Sequence, residues 1–322
     1  MPLFVMCKPH DSQRPSPQVR MIRIDESRAG QRIDNFLLRE CKGVPKSHIY
    51  KAIRGGEVRV NKGRISSDYR LEDGDLVRVP PLRLPERDEP RRAPPAVFPV
   101  VFEDEHLMVI DKPAGVAVHG GSGVSFGVIE QLRAARPQER FLELAHRLDR
   151  ETSGLLIIAK RRAALVGLHD MFREIRARKF YLALVQGDWV NDRQHIRFPL
   201  LRWLTANGER RVRVDEAGKP AHTIITLQRR FGRFSLLQAE LKTGRTHQIR
   251  VHLAHSGFPI IGDEKYGDDA LREQFARQGF KRMFLHSGRL EFDHPVTGQP
   301  LALEAPLPPE CRAVLDMLEK QA

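Results

Sequence analysis

The residues best suited to chemistry stand in one short stretch, ELAHRLDRETSGLLIIAK, residues 143–160. Asp149 lies between Arg147 and Arg150, just ahead of Thr152-Ser153-Gly154 and an apolar run. A guanidinium neighbour favours the charged carboxylate, which could then act as nucleophile or general base. Arg147, two residues away, would share its face on a strand. Taken alone, the cluster reads more simply as a structural ion pair, which at a surface contributes about 0–1 kcal/mol. The rest of the chain has to decide between the two.

A second basic stretch, LKTGRTHQIRVHLAHSGFPIIGDEKYG, spans 241–267. Thr243-Gly244 ends a strand, and Arg245 stands on the turn before a short helix. His247, His252 and His255 are spaced by five and three residues. That is not the i, i+4 helical pair, and no cysteine or carboxylate completes a zinc set, so no metal is expected. Phosphate contacts or core hydrogen bonds suit these histidines better. Asp263 beside Gly262 reads as a turn former and not as the second carboxylate of a glycosidase-like pair.

These residues need a scaffold. VVFEDEHLMVIDKP (100–113) reads as two short strands around an acidic turn, with Pro113 ending the second. Leu165, Leu168, Phe172 and Ile175 form one helical stripe and are expected in the core. KFYLALVQG (179–187), HTIITLQ (222–228) and SLLQAEL (235–241) alternate as strands. Strands outnumber helices and short connections join them, so an α+β domain with a mixed, largely antiparallel sheet is expected. No glycine-rich phosphate loop is present, which argues against a nucleotide cofactor.

The 322 residues permit two domains. Seven prolines fall within 80–99; proline fixes φ and lacks a donor, so 81–98 should be a semi-rigid linker. It separates a small unit at 21–80 from a larger one at 99–322, with a mobile tail over 1–20. In the small unit Ile33, Phe36 and Leu37 share a helical face, Pro45 can open a second helix, and Ile49, Ala52 and Ile53 give that helix its apolar side. Gly55-Gly56 supplies the left-handed exit. Val58 and Val60 then alternate as a strand into the turn Asn61-Lys62-Gly63.

Charge narrows the partner. There are 54 Lys and Arg against 41 Asp and Glu, a net +13. Between 41 and 70 alone stand eight Lys and Arg and two acids. Such a field attracts phosphates or an anionic membrane. No amphipathic anchoring segment stands out, and the longest aliphatic run, LLIIA (155–159), is far short of the roughly 20 residues that span a bilayer. LFVMC (3–7) is too short for the apolar core of a secretory signal. Cys7, Cys41 and Cys311 are odd in number and far apart, which suits a reducing cytoplasm and no disulfide framework.

AIRGGEVRVNKGR (52–64) with LEDGDLVRV (71–79) resembles the S4 RNA-binding domain. The resemblance implies that the second helix and following strand face structured RNA, with Lys46, Lys51, Arg54, Arg59 and Lys62 as phosphate contacts. HRLDRETSGLLIIAK, KFYLALVQG, GRTHQIR, FLHSGRLEFDHPVTG, DKPAG and VHGGSGVSFGVIEQLRA together resemble the pseudouridine synthases of the RluA type, over nearly the whole chain from about residue 20. Within that resemblance Asp149 matches the catalytic aspartate, Tyr181 the tyrosine that stacks on the target base, and Arg245 the basic partner of the aspartate. Arg147 matches an arginine that intrudes on the RNA during flipping.

The implied activity is conversion of several uridines of 23S ribosomal RNA to pseudouridine by a cytoplasmic monomer acting on that RNA or on precursor particles, without a membrane. The reaction is an isomerisation: N1–C1′ breaks, the uracil turns and C5 bonds to C1′, so neither cofactor nor metal is expected. One ionised carboxylate is needed, acting at C1′ or at C2′. Extrusion of the base costs a few kcal/mol, which an aromatic face can offset. A transfer-RNA substrate, or a non-catalytic ribosome-assembly role resting on the S4 module, are the alternatives.

Overall fold

The computed structural model describes residues 19–41, 43–82, 93–121, 124–205 and 209–321. Residues 1–18 of the tail expected over 1–20 and most of the linker expected over 81–98 lie outside them. Arg20, expected in the tail, instead begins a strand, paired with Val79. Two compact units divide the chain, Met1–Arg91 and Arg92–Ala322.

In the first unit, helices Ile33–Glu40 and Lys46–Arg54 pack beside a three-stranded antiparallel sheet in which Leu76–Val79 lies between Arg20–Arg23 and Arg59–Val60. The periodicity explains the core: Ile33, Phe36, Leu37, Ile49, Ala52, Ile53, Val58 and Val60 are all buried. Pro45 caps the second helix from just outside it, and Gly56, at φ 71°, makes the left-handed exit. Asn61 and Lys62, at φ 49° and 69°, turn the chain back after Arg59–Val60.

The second unit is built on a ten-stranded sheet. Its central run is Leu107–Lys112, Ser153–Ala159, Leu285–Asp293, Arg178–Gln186 and Phe234–Leu241, and every pair is antiparallel except Ser153–Ala159 with Leu285–Asp293. The expected mixed, largely antiparallel α+β architecture is therefore present. All seven residues of Ser153–Ala159 are buried. Leu156 and Ile158 enter one core while Leu155, Ile157 and Ala159 enter another on the opposite face. Burial of each such aliphatic side chain is worth about 1.5–3 kcal/mol, so this strand fixes what precedes it. Gly154, at φ 107°, permits the parallel contact: a Cβ there would lie 2.3 Å from the Ser287 carbonyl oxygen.

Three local expectations are corrected. Arg147 and Asp149 are not on a strand; they stand in the loop between Glu143–Leu144 and Ser153–Ala159, so they share no strand face. Helix Arg162–Arg173 buries Leu165 and Leu168, but Ile175 lies beyond its end, at φ 59° and half exposed. Phe172 is only partly buried and lines a cleft. At the other edge of the supposed linker, Phe98 is buried in the core of the second unit.

Candidate active site

Asp149 opens a tight turn whose carbonyl accepts the Thr152 N–H at 3.1 Å. Buried Thr152 and the strand Ser153–Ala159 anchor that turn from its far side. From beneath, the fully buried Lys112 donates to the carbonyls of Pro113, Val116 and Arg150 at 2.7, 2.8 and 3.1 Å. The loop carrying the carboxylate is thus tied to the end of Leu107–Lys112. Burial pushes the Lys112 ammonium down to about 7, against the pull of Glu151 and Asp149.

The carboxylate faces a cleft of about 390 Å³, within the range of small-molecule sites. Leu148, Tyr181, Leu241, Ile249 and Leu285 give it an apolar floor. Arg147, Arg173, Lys179, Arg202, Arg245 and Arg250 line it, and Asp149 is the single carboxylate among the described lining residues. A cationic wall around one anion suits a polyanionic substrate that must still meet a reactive carboxylate.

Arg250, on helix Gln248–His255, is the counter-ion: its Nη1 donates to Asp149 Oδ2 at 3.1 Å. Its Nε and Nη2 both donate to Asp263, each at 2.7 Å. Asp263 also accepts the backbone N–H groups of Lys265 and Tyr266. Burial works against the charge on Asp263, but Arg250 and these N–H groups outweigh it and hold its carboxyl below the usual range. With side-chain exposures of 6% and 1%, Arg250 and Asp263 form a rigid fork. The turn role expected for Asp263 is present, and its second role as the brace of Arg250 was missed.

Arg245, expected to pair with Asp149, does not. Its exposed guanidinium donates through Nε to the Pro220 carbonyl at 3.1 Å, and Arg250 takes the pairing role. The reason is local: Gln248 Oε1 accepts the Arg245 N–H and the Thr243 hydroxyl, which turns the chain before the helix begins. Arg250 then falls two residues inside the helix, on its buried side. An arginine amid Ile249, Val251 and Leu253 was the available signal, since a buried arginine needs a carboxylate.

Tyr181 is 5% exposed on Arg178–Gln186 and lines the same cleft. Burial pushes its hydroxyl up to about 12, and the nearby Asp149 charge acts in the same direction. Arg147 is exposed at the cleft. Lys179 Nζ stands 4.7 Å from the Phe172 ring centroid, and burial lowers its pKa. His146 is held neutral: its Nε2 accepts the Ile157 N–H at 3.1 Å, and burial takes its pKa to about 3.

The three histidines have separate partners. His252 bonds Thr223 and the Phe198 carbonyl, His255 packs edge-on against Phe198, and His247 meets Tyr266 near Asp149. Among the described residues no group of three or more His, Cys, Asp or Glu is placed to hold a metal. No described helix is long and apolar enough to cross a membrane.

In the first unit, Lys46, Lys51, Arg54, Arg59 and Lys62 are all exposed. Arg59 is partly committed to the turn, with Nε donating to the Gly56 carbonyl at 3.1 Å and Nη1 to the Lys62 carbonyl at 3.3 Å.

Comparison with known proteins bears on both units. The RNA pseudouridylate synthase family model matches residues 106–255, and the S4 domain model matches 31–77. The ribosomal large subunit pseudouridine synthase C of Pasteurella multocida is 50% identical over 309 residues, covering 94% of this chain and 95% of that protein. The protein of the same name from Escherichia coli is 50% identical over 300 residues, covering 91% and 94%. Among solved structures, human RNA pseudouridylate synthase domain containing 4 is similar at a TM-score of 0.57 and 23% identity, covering 69% of this chain and 93% of that one. Human RNA pseudouridylate synthase domain containing 1 gives 0.55 and 24%, covering 73% and 97%; at these identities the likeness concerns the fold. With half its residues identical to those relatives over nearly all of its length, the chain belongs to the RNA pseudouridylate synthase family and carries an S4 domain.

Proposed function

We propose that the protein converts uridines of the large-subunit, 23S ribosomal RNA to pseudouridine, with Asp149 as the catalytic carboxylate. The observation that carries this reading is one carboxylate, braced by Arg250, in an otherwise cationic cleft with Tyr181 in its wall. The relatives named for large-subunit pseudouridine synthesis support the choice of RNA. The protein works as a monomer in the cytoplasm, where that RNA is found.

The S4 unit docks on structured RNA through Lys46, Lys51, Arg54, Arg59 and Lys62, contacts that position without reading sequence. Arg147 and Arg245, exposed at the mouth of the cleft, meet the phosphates around the target nucleotide. The uridine leaves its stack and its uracil lies against Tyr181, which offsets part of the unstacking cost. In one route Asp149 bonds to C1′ as N1–C1′ breaks, the freed uracil turns, and the carboxylate leaves again as C5 bonds to C1′. In the other Asp149 takes the C2′ proton as N1–C1′ breaks and returns it to C2′ as C5 bonds to C1′. In both the C5 proton is then lost and N1 is protonated. Atoms and electrons balance within the nucleotide, with proton exchange to water.

The test is to map pseudouridines in ribosomal and transfer RNA from a strain lacking the protein, complemented with wild type or with Asp149→Asn. Wild type should restore 23S sites that the Asn variant does not, while both bind the RNA. Survival of every 23S site without the protein would overturn the substrate, and normal product from the Asn variant would overturn the role of Asp149.

A further inference from the structure

His247 is the residue of the cleft whose backbone is least ordinary. It occupies the N-cap of helix Gln248–His255 in the left-handed region, at φ 53° and ψ 21°, where cap residues are normally extended. Its side chain does not cap the helix. It turns into the cleft, and its Nε2 lies 3.8 Å from Asp149 Oδ2, about 1 Å beyond a hydrogen bond. Backbone strain of this kind in a non-glycine residue persists where the surroundings hold it, often at functional sites.

What holds it is Tyr266. The Tyr266 hydroxyl accepts the Val212 backbone N–H at 3.0 Å and lies 2.8 Å from His247 Nδ1. With one lone pair already engaged, the phenol proton is best used by donation to Nδ1. The other tautomer would set a bare Nε2 lone pair against the Asp149 carboxylate, which is repulsive. Both considerations place the imidazole proton on Nε2, facing Asp149.

We propose that His247 is a positioning residue for Asp149: a neutral imidazole, fixed in one tautomer by Tyr266, whose Nε2–H becomes the second donor to the carboxylate when substrate closes the cleft. The inference rests on the role given to Asp149 above. Arg250 and His247 would then grip Asp149 from two directions and leave one oxygen lobe for the ribose. The charged and titratable groups around the imidazole are Asp149, Arg250, Asp263, Lys265 and Tyr266. Burial lowers the His247 pKa, with Arg250 and Lys265 acting in the same direction and Asp149 and Asp263 opposing. The neutral form is therefore the working one.

Four full-length variants, Asp149→Asn, His247→Asn, His247→Gln and Tyr266→Phe, test the idea in single-turnover assays on ribosomal RNA from the strain lacking the protein. Asparagine suits the left-handed backbone but is too short to reach Asp149, whereas the glutamine amide can replace Nε2–H. We expect His247→Asn to lose about tenfold in kcat with KM unchanged, and His247→Gln to stay within about threefold of wild type. Tyr266→Phe removes the donor to Nδ1 and raises the His247 pKa toward the usual value of about 6.5. Its kcat should lie below wild type at pH 8, because the tautomer is no longer fixed, and fall further below about pH 6.5, where a protonated His247 ties up Asp149, while wild type stays flat there. Melting temperatures and RNA binding near wild type establish that each variant folds. Wild-type rates for His247→Asn overturn the proposal, as do equal losses in the Asn and Gln variants or a flat acid limb in Tyr266→Phe. Full activity in Asp149→Asn would instead overturn the role of Asp149, and the proposal with it.

Discussion

Arg250 reaches Asp149 through Nη1 alone, because Asp263 occupies the rest of its guanidinium. The carboxylate is thus held by a cation that cannot turn away without breaking two buried bonds. Substitution of Arg250 by lysine keeps the charge but cannot bridge both acids at once. Arg250→Lys should lower kcat by about a hundredfold or more, a loss of about 2.7 kcal/mol of transition-state stabilisation. Arg250→Met should also cost about 3–5 kcal/mol of folding stability, since Asp263 is left buried and unpaired. Arg245→Met, by contrast, should raise KM for RNA and leave kcat and the urea midpoint near wild type. Single-turnover kinetics and urea unfolding of the three variants check this, and a kcat loss confined to Arg245→Met would reverse the assignment.

The contrast between those two arginines marks how far the sequence could be read. The strands that position Asp149 and Tyr181 were legible as the apolar run 155–159 and the alternation of 179–187. The roles of the two residues came from the family resemblance, the local pattern at Asp149 favouring an ion pair. Their common cleft follows from the placing of both strands beside Leu285–Asp293. Which arginine meets Asp149 depends on where helix Gln248–His255 begins, and Gln248 decides that through its bonds to Thr243, Arg245, His222 and Thr223. Such a tertiary staple has no periodic trace. Lys112 was similarly hidden: its three acceptors are backbone carbonyls, two of them on its own turn and one 38 residues away. Ile175 fits the helical stripe by spacing, but the helix stops at Arg173.

Lys112 gives a pH prediction of definite sign. Its folded pKa is about 7, whereas an unfolded lysine keeps its proton to about 10.4. Below pH 7 both states are protonated, and the cost of burying the cation is fully present. Between about 7 and about 10.4 the unfolded chain holds the extra proton, so stability gains from this group as pH rises, by at most about 1.36 kcal/mol per unit. Lys112→Met removes the dependence and leaves three carbonyls without their donor. Urea unfolding at pH 7 and pH 9 should show wild type gaining on the variant, and a constant difference would contradict it. The variant should also lose kcat, because the Arg150 carbonyl beside Asp149 is no longer tied down.

Tyr181 has a hydroxyl pushed up to about 12, so about one molecule in 10⁵ is ionised at pH 7. It is therefore a face and a proton donor, not a base. Tyr181→Phe should keep kcat within about tenfold, and Tyr181→Leu should lose more, since stacking on a base is worth about 1–3 kcal/mol. The wild-type pH–rate profile should show no break from this residue between pH 8 and 10. Equal losses in the Phe and Leu variants would assign the contribution to the hydroxyl.

The S4 unit should act on RNA binding through its charge. Lys51 and Arg54 are exposed on the last turn of helix Lys46–Arg54. Arg59 is partly engaged with the backbone of its own turn, which makes Lys51 and Arg54 the cleaner probes. Neutralising a phosphate releases counter-ions, so the slope of log affinity against log salt changes by about 0.7–0.9 for each phosphate left without its cation. Lys51→Gln combined with Arg54→Gln should weaken RNA binding uniformly across sites and flatten that slope by about 1.4–1.8. At saturating RNA the rate should equal wild type, because these cations position the substrate and do not touch the reacting nucleotide. Filter binding between 50 and about 200 mM salt, beside single-turnover rates, separates the two effects. An unchanged slope would remove Lys51 and Arg54 from the interface, and a lower saturating rate would show that the S4 unit also helps to set the cleft.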